Sequence, residues 1–133
     1  RTAAEEKKRR EAESRLAAEK ERLAKEAAIK ARVQDEENKR RLNSLRDAYI
    51  LAIREKIERK WRQPPGSDKI DCELHVVQGP GGIILDVRFG NCPGGSPAYR
   101  ASIENAVYKA EPLPKPGDDS LFERDLKFLF NAE

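Results

Sequence analysis

The sequence predicts an α+β fold: a long N-terminal helix followed by a small three-stranded antiparallel sheet with helices packed on one face. Two observations predict it. All eight prolines, all eight glycines and both cysteines lie after Gln63, so the first half lacks helix breakers. The second half holds three short segments in which apolar and polar residues alternate with a period of two, and a helical pattern precedes the third. The predicted order is helix, strand, strand, helix, strand.

The segment before Pro64 is dominated by Ala, Glu, Lys, Arg and Leu, which are strong helix formers. Lys and Arg outnumber Asp and Glu there by 20 to 13, whereas the balance in the rest of the chain is 7 to 11. Opposite charges lie four residues apart, as in Glu21 and Lys25. We therefore expect 1–41 to be a solvated, charged helical rod. It carries only a thin apolar stripe, formed by Ala12, Leu16, Leu23 and Ala27.

A denser apolar face begins at Leu42, where apolar residues recur at offsets of three and four. Ile50 and Leu51 widen this face, and Pro64 stops the helix soon after it. We therefore expect this part of the helix to dock within an α+β domain that spans 42–133. The residues of the predicted docked face are Leu42, Leu45, Tyr49, Ile53, Ile57 and Trp61.

The three predicted strands are 70–77, Ile83 to Phe89 and Arg124 to Phe130, and Gly79 to Gly82 supply the turn between the first two. We expect the first strand to lie in the centre of the sheet and the last one at an edge. The core-facing residues expected in the second and third strands are Ile83, Leu85, Val87, Phe89, Leu126, Phe128 and Phe130.

A second helix is predicted from Pro97 to about Ala110, with Ser96 as its N-cap and Pro97 at its first position. Its expected buried face consists of Tyr99, Ile103, Ala106, Val107 and Ala110.

The two cysteines, Cys72 and Cys92, flank the predicted hairpin closely enough for a disulfide. Closing a loop of about 20 residues would stabilise a small domain by roughly 3 kcal/mol, and it favours an oxidising compartment. Two buried free thiols are the alternative. A zinc site that adds His75 is disfavoured, because residues three apart on a strand face opposite sides and no fourth ligand is evident.

No catalytic constellation is evident, so we expect a protein that is not an enzyme and needs no cofactor or metal. The single His lies on the polar face of a predicted strand, and Gly79 to Gly82 are followed by a strand rather than by the helix that a phosphate-binding loop requires. The basic clusters of the rod are bordered by acidic residues and lack interleaved aromatics, which disfavours nucleic-acid binding.

The chain contains no Met and opens within a charged run, which is typical of an excised fragment. It has no run of about 18 apolar residues, so we predict no membrane contact by this segment, and an anchor upstream stays compatible with the sequence.

Together these features resemble the TonB/TolA C-terminal superfamily over about Leu42 to Phe130. The resemblance rests on the docked helical face ending at Trp61, the hairpin with a Gly-rich turn, the Pro-rich stretch from Ala110 to Pro116 and the aromatic last strand. The charged helix upstream and the cysteine pair are similar to TolA-type members, whereas TonB-type members carry a Pro-rich spacer.

A TolA-type resemblance implies a periplasmic interaction module of a Gram-negative bacterium, anchored in the inner membrane by an upstream helix that associates with TolQ and TolR. It implies contacts with TolB and Pal, and use of the proton-motive force to maintain and constrict the outer membrane. Filamentous-phage coat protein and bacteriocins exploit such domains. A TonB-type energy transducer and a coiled-coil scaffold remain as alternatives.

Partner binding is expected by strand addition at the predicted edge strand. The candidate residues are Arg124, Asp125, Leu126, Lys127, Phe128, Leu129 and Phe130. Docking on the helical face from Tyr99 to Lys109 is the alternative.

Overall fold

The computed structural model describes residues 2–68 and 70–130. It has the predicted α+β fold, and the helices and strands follow the predicted order. They are α1 (Ala3–Lys60), β1 (Cys72–Gly79), β2 (Ile83–Phe89), α2 (Pro97–Lys109), a short 3-10 helix (Asp119–Leu121) and β3 (Asp125–Phe130). The chain divides into two compact units, 1–41 and 42–133.

The first unit is helical and solvent-exposed over its described residues. Its side chains pair along the helix surface: Arg22 with Glu26 at 2.9 Å, and Lys25 with Glu21 at 3.2 Å. Such exposed pairs support a helix by a few tenths of a kcal/mol each. The large apolar residues of this stretch are about half exposed, namely Leu16, Leu23, Ile29 and Val33.

The second unit contains the core. Tyr49, Ile53 and Ile57 of α1 are buried, as the spacing of four predicts, whereas Leu51 is exposed and does not widen that face. Trp61 lies just past the end of α1 and is partly buried. Its ring packs edge-on against Tyr99 at 5.7 Å and Phe130 at 5.5 Å between centroids, so it joins α2 to the sheet.

The sheet has the order β2-β1-β3, and both pairings are antiparallel, so β1 is central and β3 is an edge strand, as predicted. The strand bounds differ slightly from the prediction. β1 begins at Cys72 and continues through Gly79, which the sequence had suggested as part of the turn, and β3 begins at Asp125.

The predicted core face of β2 is wrong in its first half. The register of β1 and β2 shifts between Val77 and Gln78, which is a β-bulge, so the faces of β2 exchange there. Ile84 is therefore buried, while Ile83 and Leu85 are about half exposed. Beyond the bulge the prediction is correct: Val87 and Phe89 pack against the core.

The predicted disulfide is present and joins Cys72, the first residue of β1, to Cys92 in the loop after β2. The cap of α2 is also as predicted, because Ser96 Oγ accepts a hydrogen bond of 3.1 Å from the Tyr99 N–H. The disulfide thus holds the end of β2 that lies away from the turn close to the central strand.

Candidate partner-binding edge

The backbone of β3 alternates between groups that bond to β1 and groups that face away from the sheet. The Gln78 N–H donates to the Arg124 carbonyl at 2.8 Å, which fixes the phase of this alternation. With the observed register, Leu126, Phe128 and Phe130 direct their backbone groups toward β1. The N–H and C=O groups of Asp125, Lys127 and Leu129 therefore point outward along the edge.

The side chains of β3 alternate in the same way between the core and the outer face of the sheet. Leu126 and Phe130 are fully buried, and Phe128 is partly buried against the core. These three residues belong to the predicted binding segment, and they support the edge strand through side chains that pack in the core. The side chains exposed to a partner are those of Arg124, Asp125, Lys127 and Leu129.

The opposite edge of the sheet, along β2, is partly covered. The Ile84 N–H donates to Glu111 Oε2 at 3.0 Å, and the Val87 N–H donates to Asp86 Oδ1 at 2.9 Å. The loop after α2 also closes on the turn, because the Leu113 N–H donates to the Gly82 carbonyl at 2.9 Å. Carboxylates thus occupy two of the β2 positions where another strand would pair, and loop backbone lies against the adjoining turn.

No comparable cover lies over β3 in the part of the chain that the structure describes. There, no side chain or loop donates to or accepts from the outward backbone groups of Asp125, Lys127 and Leu129. An edge of this kind offers donors and acceptors to an added strand. The mixed charges of its side chains discourage unselective pairing.

The segment that leads into β3 is anchored to the core by hydrogen bonds and an ion pair. Gln78 is fully buried, and its Nε2 donates to Tyr49 Oη at 2.8 Å and to the Glu123 carbonyl at 2.7 Å. Arg46 pairs with the Glu123 carboxylate at 2.7 Å. These contacts fix the segment that enters β3 to both α1 and β1, and they were not predicted from the sequence.

The outer face of the sheet carries a row of basic residues, because His75 on β1 is in register with both Arg88 on β2 and Lys127 on β3. An open depression of about 570 Å³ lies here, and these three side chains contribute to its lining. His75 is only partly exposed, and its Nε2 lies 3.2 Å from Asp125 Oδ1. The sequence predicted that His75 lies on this polar face, but it did not predict the contact of His75 with Asp125 on the neighbouring strand.

Helix α2 is the alternative docking surface, but most of its large apolar side chains point into the core. Tyr99, Ile103, Ala106 and Val107 are buried, and its one large exposed apolar side chain is Tyr108. Among the described residues, no cluster of His, Cys, Asp and Glu is arranged to hold a metal ion.

Comparison with protein-family models gives a match to the TonB C-terminal domain over residues 46–130. The match covers roughly two thirds of the chain and includes most of the docked part of α1 and all three strands. The chain belongs to the TonB C-terminal family. A comparison with curated proteins returned no match.

A TonB C-terminal domain is a periplasmic module that acts in energy transduction through contacts with other proteins, and this chain carries one. Its open β3 edge lies inside the matched range. Within the described residues, no helix combines the length and the apolarity that a membrane span requires.

Proposed function

We propose that this TonB C-terminal domain is the TolA-type module of a Tol-Pal system, a non-catalytic periplasmic receptor that takes up an extended partner segment along β3. The observation that carries the proposal is the contrast between the partly covered β2 edge and the open β3 edge. Main-chain hydrogen bonds to Asp125, Lys127 and Leu129 would supply affinity, as in other cases of strand addition.

Two features support the TolA type over the TonB type. The segment upstream of the domain is a charged helix without proline, where a TonB-type protein carries a Pro-rich spacer. The disulfide between Cys72 and Cys92 matches the cysteine pair of the TolA-type resemblance. The proposed partners are therefore TolB and Pal, with TolQ and TolR contacting an upstream inner-membrane anchor, and phage coat protein or bacteriocins exploiting the same domain.

In this role the domain couples the proton-motive force at the inner membrane to outer-membrane integrity and to constriction at division. The second candidate is a TonB-type transducer for outer-membrane transporters, which the family match favours equally. The same edge serves both candidates, so the identity of the added segment distinguishes them.

The test is a titration of the isotope-labelled, oxidised chain with a TolB N-terminal peptide and, separately, with a TonB-box peptide. The TolB peptide is expected to shift the amides of Asp125, Lys127 and Leu129. The chemical shifts of the amides from Arg100 to Lys109 on α2 should not change. Tighter binding of the TonB-box peptide would favour the TonB-type role instead.

A backbone control separates strand addition from side-chain docking without altering the protein. The TolB peptide is N-methylated at alternate residues, in one phase and then in the other. Because only one phase donates to β3, one methylated peptide should lose binding and the other should keep it. Shifts confined to α2, with 125–130 unmoved, would rule out strand addition.

A further inference from the structure

In the row of basic residues on the outer face of the sheet, Arg88 and His75 each lie beside a carboxylate, and Lys127 does not. Arg88 Nε lies 2.6 Å from Asp86 Oδ2, and His75 pairs with Asp125 at 3.2 Å. Lys127 continues the same row of basic residues toward the β3 edge. Its ammonium group makes no ion pair and no hydrogen bond with any residue in 2–68 or 70–130.

The carboxylates near Lys127 are already engaged. Asp125, two residues back on the same face, is bonded to His75. Glu73, diagonally across on β1, accepts a hydrogen bond from the Asn91 N–H at 3.2 Å. Lys127, at the edge where the side chains of an added strand would lie, therefore ends the row without an ion-pair partner among the described residues.

We propose that Lys127 determines specificity by pairing with an acidic residue of the added partner strand. This inference rests on the proposed function, because it requires strand addition at β3. Same-face residues on adjacent strands bring their Cβ atoms to about 5 Å, and opposite charges there attract. The partner is thus an extended segment with Asp or Glu opposite Lys127 on the outer face of the sheet.

The residue two positions along the partner, opposite Leu129, is apolar in this proposal. Leu129 is 42 % exposed, lies on the outer face and also contributes to the depression. A partner side chain that covers it removes apolar surface from water. The recognised pattern is accordingly an acidic and an apolar residue separated by one position, both on the same face of the added strand.

The experiment uses the oxidised chain and a library of fully randomised ten-residue peptides. Selected peptides are first mapped by amide shifts, and those that shift Asp125, Lys127 and Leu129 are aligned. Selection is repeated on Lys127→Gln and Lys127→Glu. Lys20→Glu, which makes the same charge change on the exposed first unit, is the matched control.

Binding peptides are expected to be enriched in Asp or Glu at one position. Lys127→Gln should weaken the acidic peptides roughly two- to fivefold, and Lys127→Glu roughly tenfold. Selection on Lys127→Glu should replace the acid by Lys or Arg at that position. Lys20→Glu should leave both affinity and enrichment unchanged.

Two other outcomes overturn the inference and are distinguishable. Peptides that shift the β3 amides but show no acidic enrichment, or that keep it in Lys127→Glu, overturn the role of Lys127 and leave strand addition standing. A set of selected peptides that never shifts 125–130 overturns the proposed function, and the inference with it.

Discussion

The two edges of the sheet differ in what occupies their outward backbone groups. Along β2, the carboxylates of Glu111 and Asp86 accept from Ile84 and Val87. Along β3, no described residue bonds to the corresponding groups of Asp125, Lys127 and Leu129. Exposed strand edges are an aggregation hazard, so natural proteins commonly cover them. The β2 edge is partly covered and the β3 edge is left accessible, and strand addition requires an accessible edge.

The open edge is accessible without being loose. The inner side chains of β3 are part of the core, and the segment leading into it is held by the buried Gln78. Because β3 is already ordered, adding a segment there carries no entropic cost of ordering β3 itself.

The largest effect is expected at Leu126, which is fully buried on β3. Leu126→Ala should lower the free energy of unfolding by about 3–5 kcal/mol, since it removes apolar burial and leaves a cavity. Its matched control is Leu129→Ala on the outer face of the same strand, where less than about 0.5 kcal/mol is expected. Urea denaturation measures both, and equal losses would show that β3 is not anchored from within.

The second-largest effect is expected at the contact between the β1–β2 turn and the loop after α2. A Cβ at Gly82 would lie 2.5 Å from the Leu113 carbonyl oxygen and 2.6 Å from the Leu113 nitrogen, and φ there is +81°. Gly82→Ala should therefore cost about 2–4 kcal/mol by backbone crowding and conformational strain.

Gly81→Ala is the control for that substitution, because φ is +82° but nothing lies within 4 Å of the added methyl. Only the conformational cost of about 1–2 kcal/mol should appear. If thermal denaturation shows the same loss for both variants, the contact between the turn and the Leu113 loop does not stabilise the fold.

The smallest effect is expected from a substitution that removes part of the cover of the β2 edge. Glu111→Ala removes the acceptor for the Ile84 N–H, so stability should fall by about 1 kcal/mol and the Ile84 amide should exchange faster with solvent. Hydrogen exchange read by NMR measures this. Glu104→Ala, on the exposed surface of α2, should leave Ile84 unchanged. An unaltered Ile84 exchange rate in Glu111→Ala would contradict the assigned cover.

Local sequence patterns predicted most of the fold. The spacing of four from Tyr49 to Ile57, the alternation of Leu126, Phe128 and Phe130, and Ser96 followed by Pro97 each reflect a regular element or its cap. The disulfide was predictable because a hairpin brings residues on either side of it together. The edge position of β3 also followed from the order of the elements.

The misses have a common cause, which is that they depend on contacts between distant segments. The bulge adds Leu85 of β2 as an extra residue opposite Val77 and Gln78 and exchanges the faces of β2, and Leu85 carries no local signal for it. The cover of Ile84 by Glu111 joins residues 27 apart, and Gln78 reaches Tyr49 across 29. The alternation from Arg124 to Phe130 indicates a half-buried strand, but only the register tells which of its backbone groups face a partner.

The strand order has a consequence for how the domain folds. β1 and β2 are joined by the three residues 80–82, whereas β1 and β3 are separated by the 45 residues 80–124. Closing the longer segment costs more chain entropy, and non-local pairing slows folding. We expect the β1–β2 hairpin to form first and β3 to join it late. Until β3 arrives, the nascent domain exposes the unpaired edge of its central strand, so the last strand to fold is the one that later receives the partner.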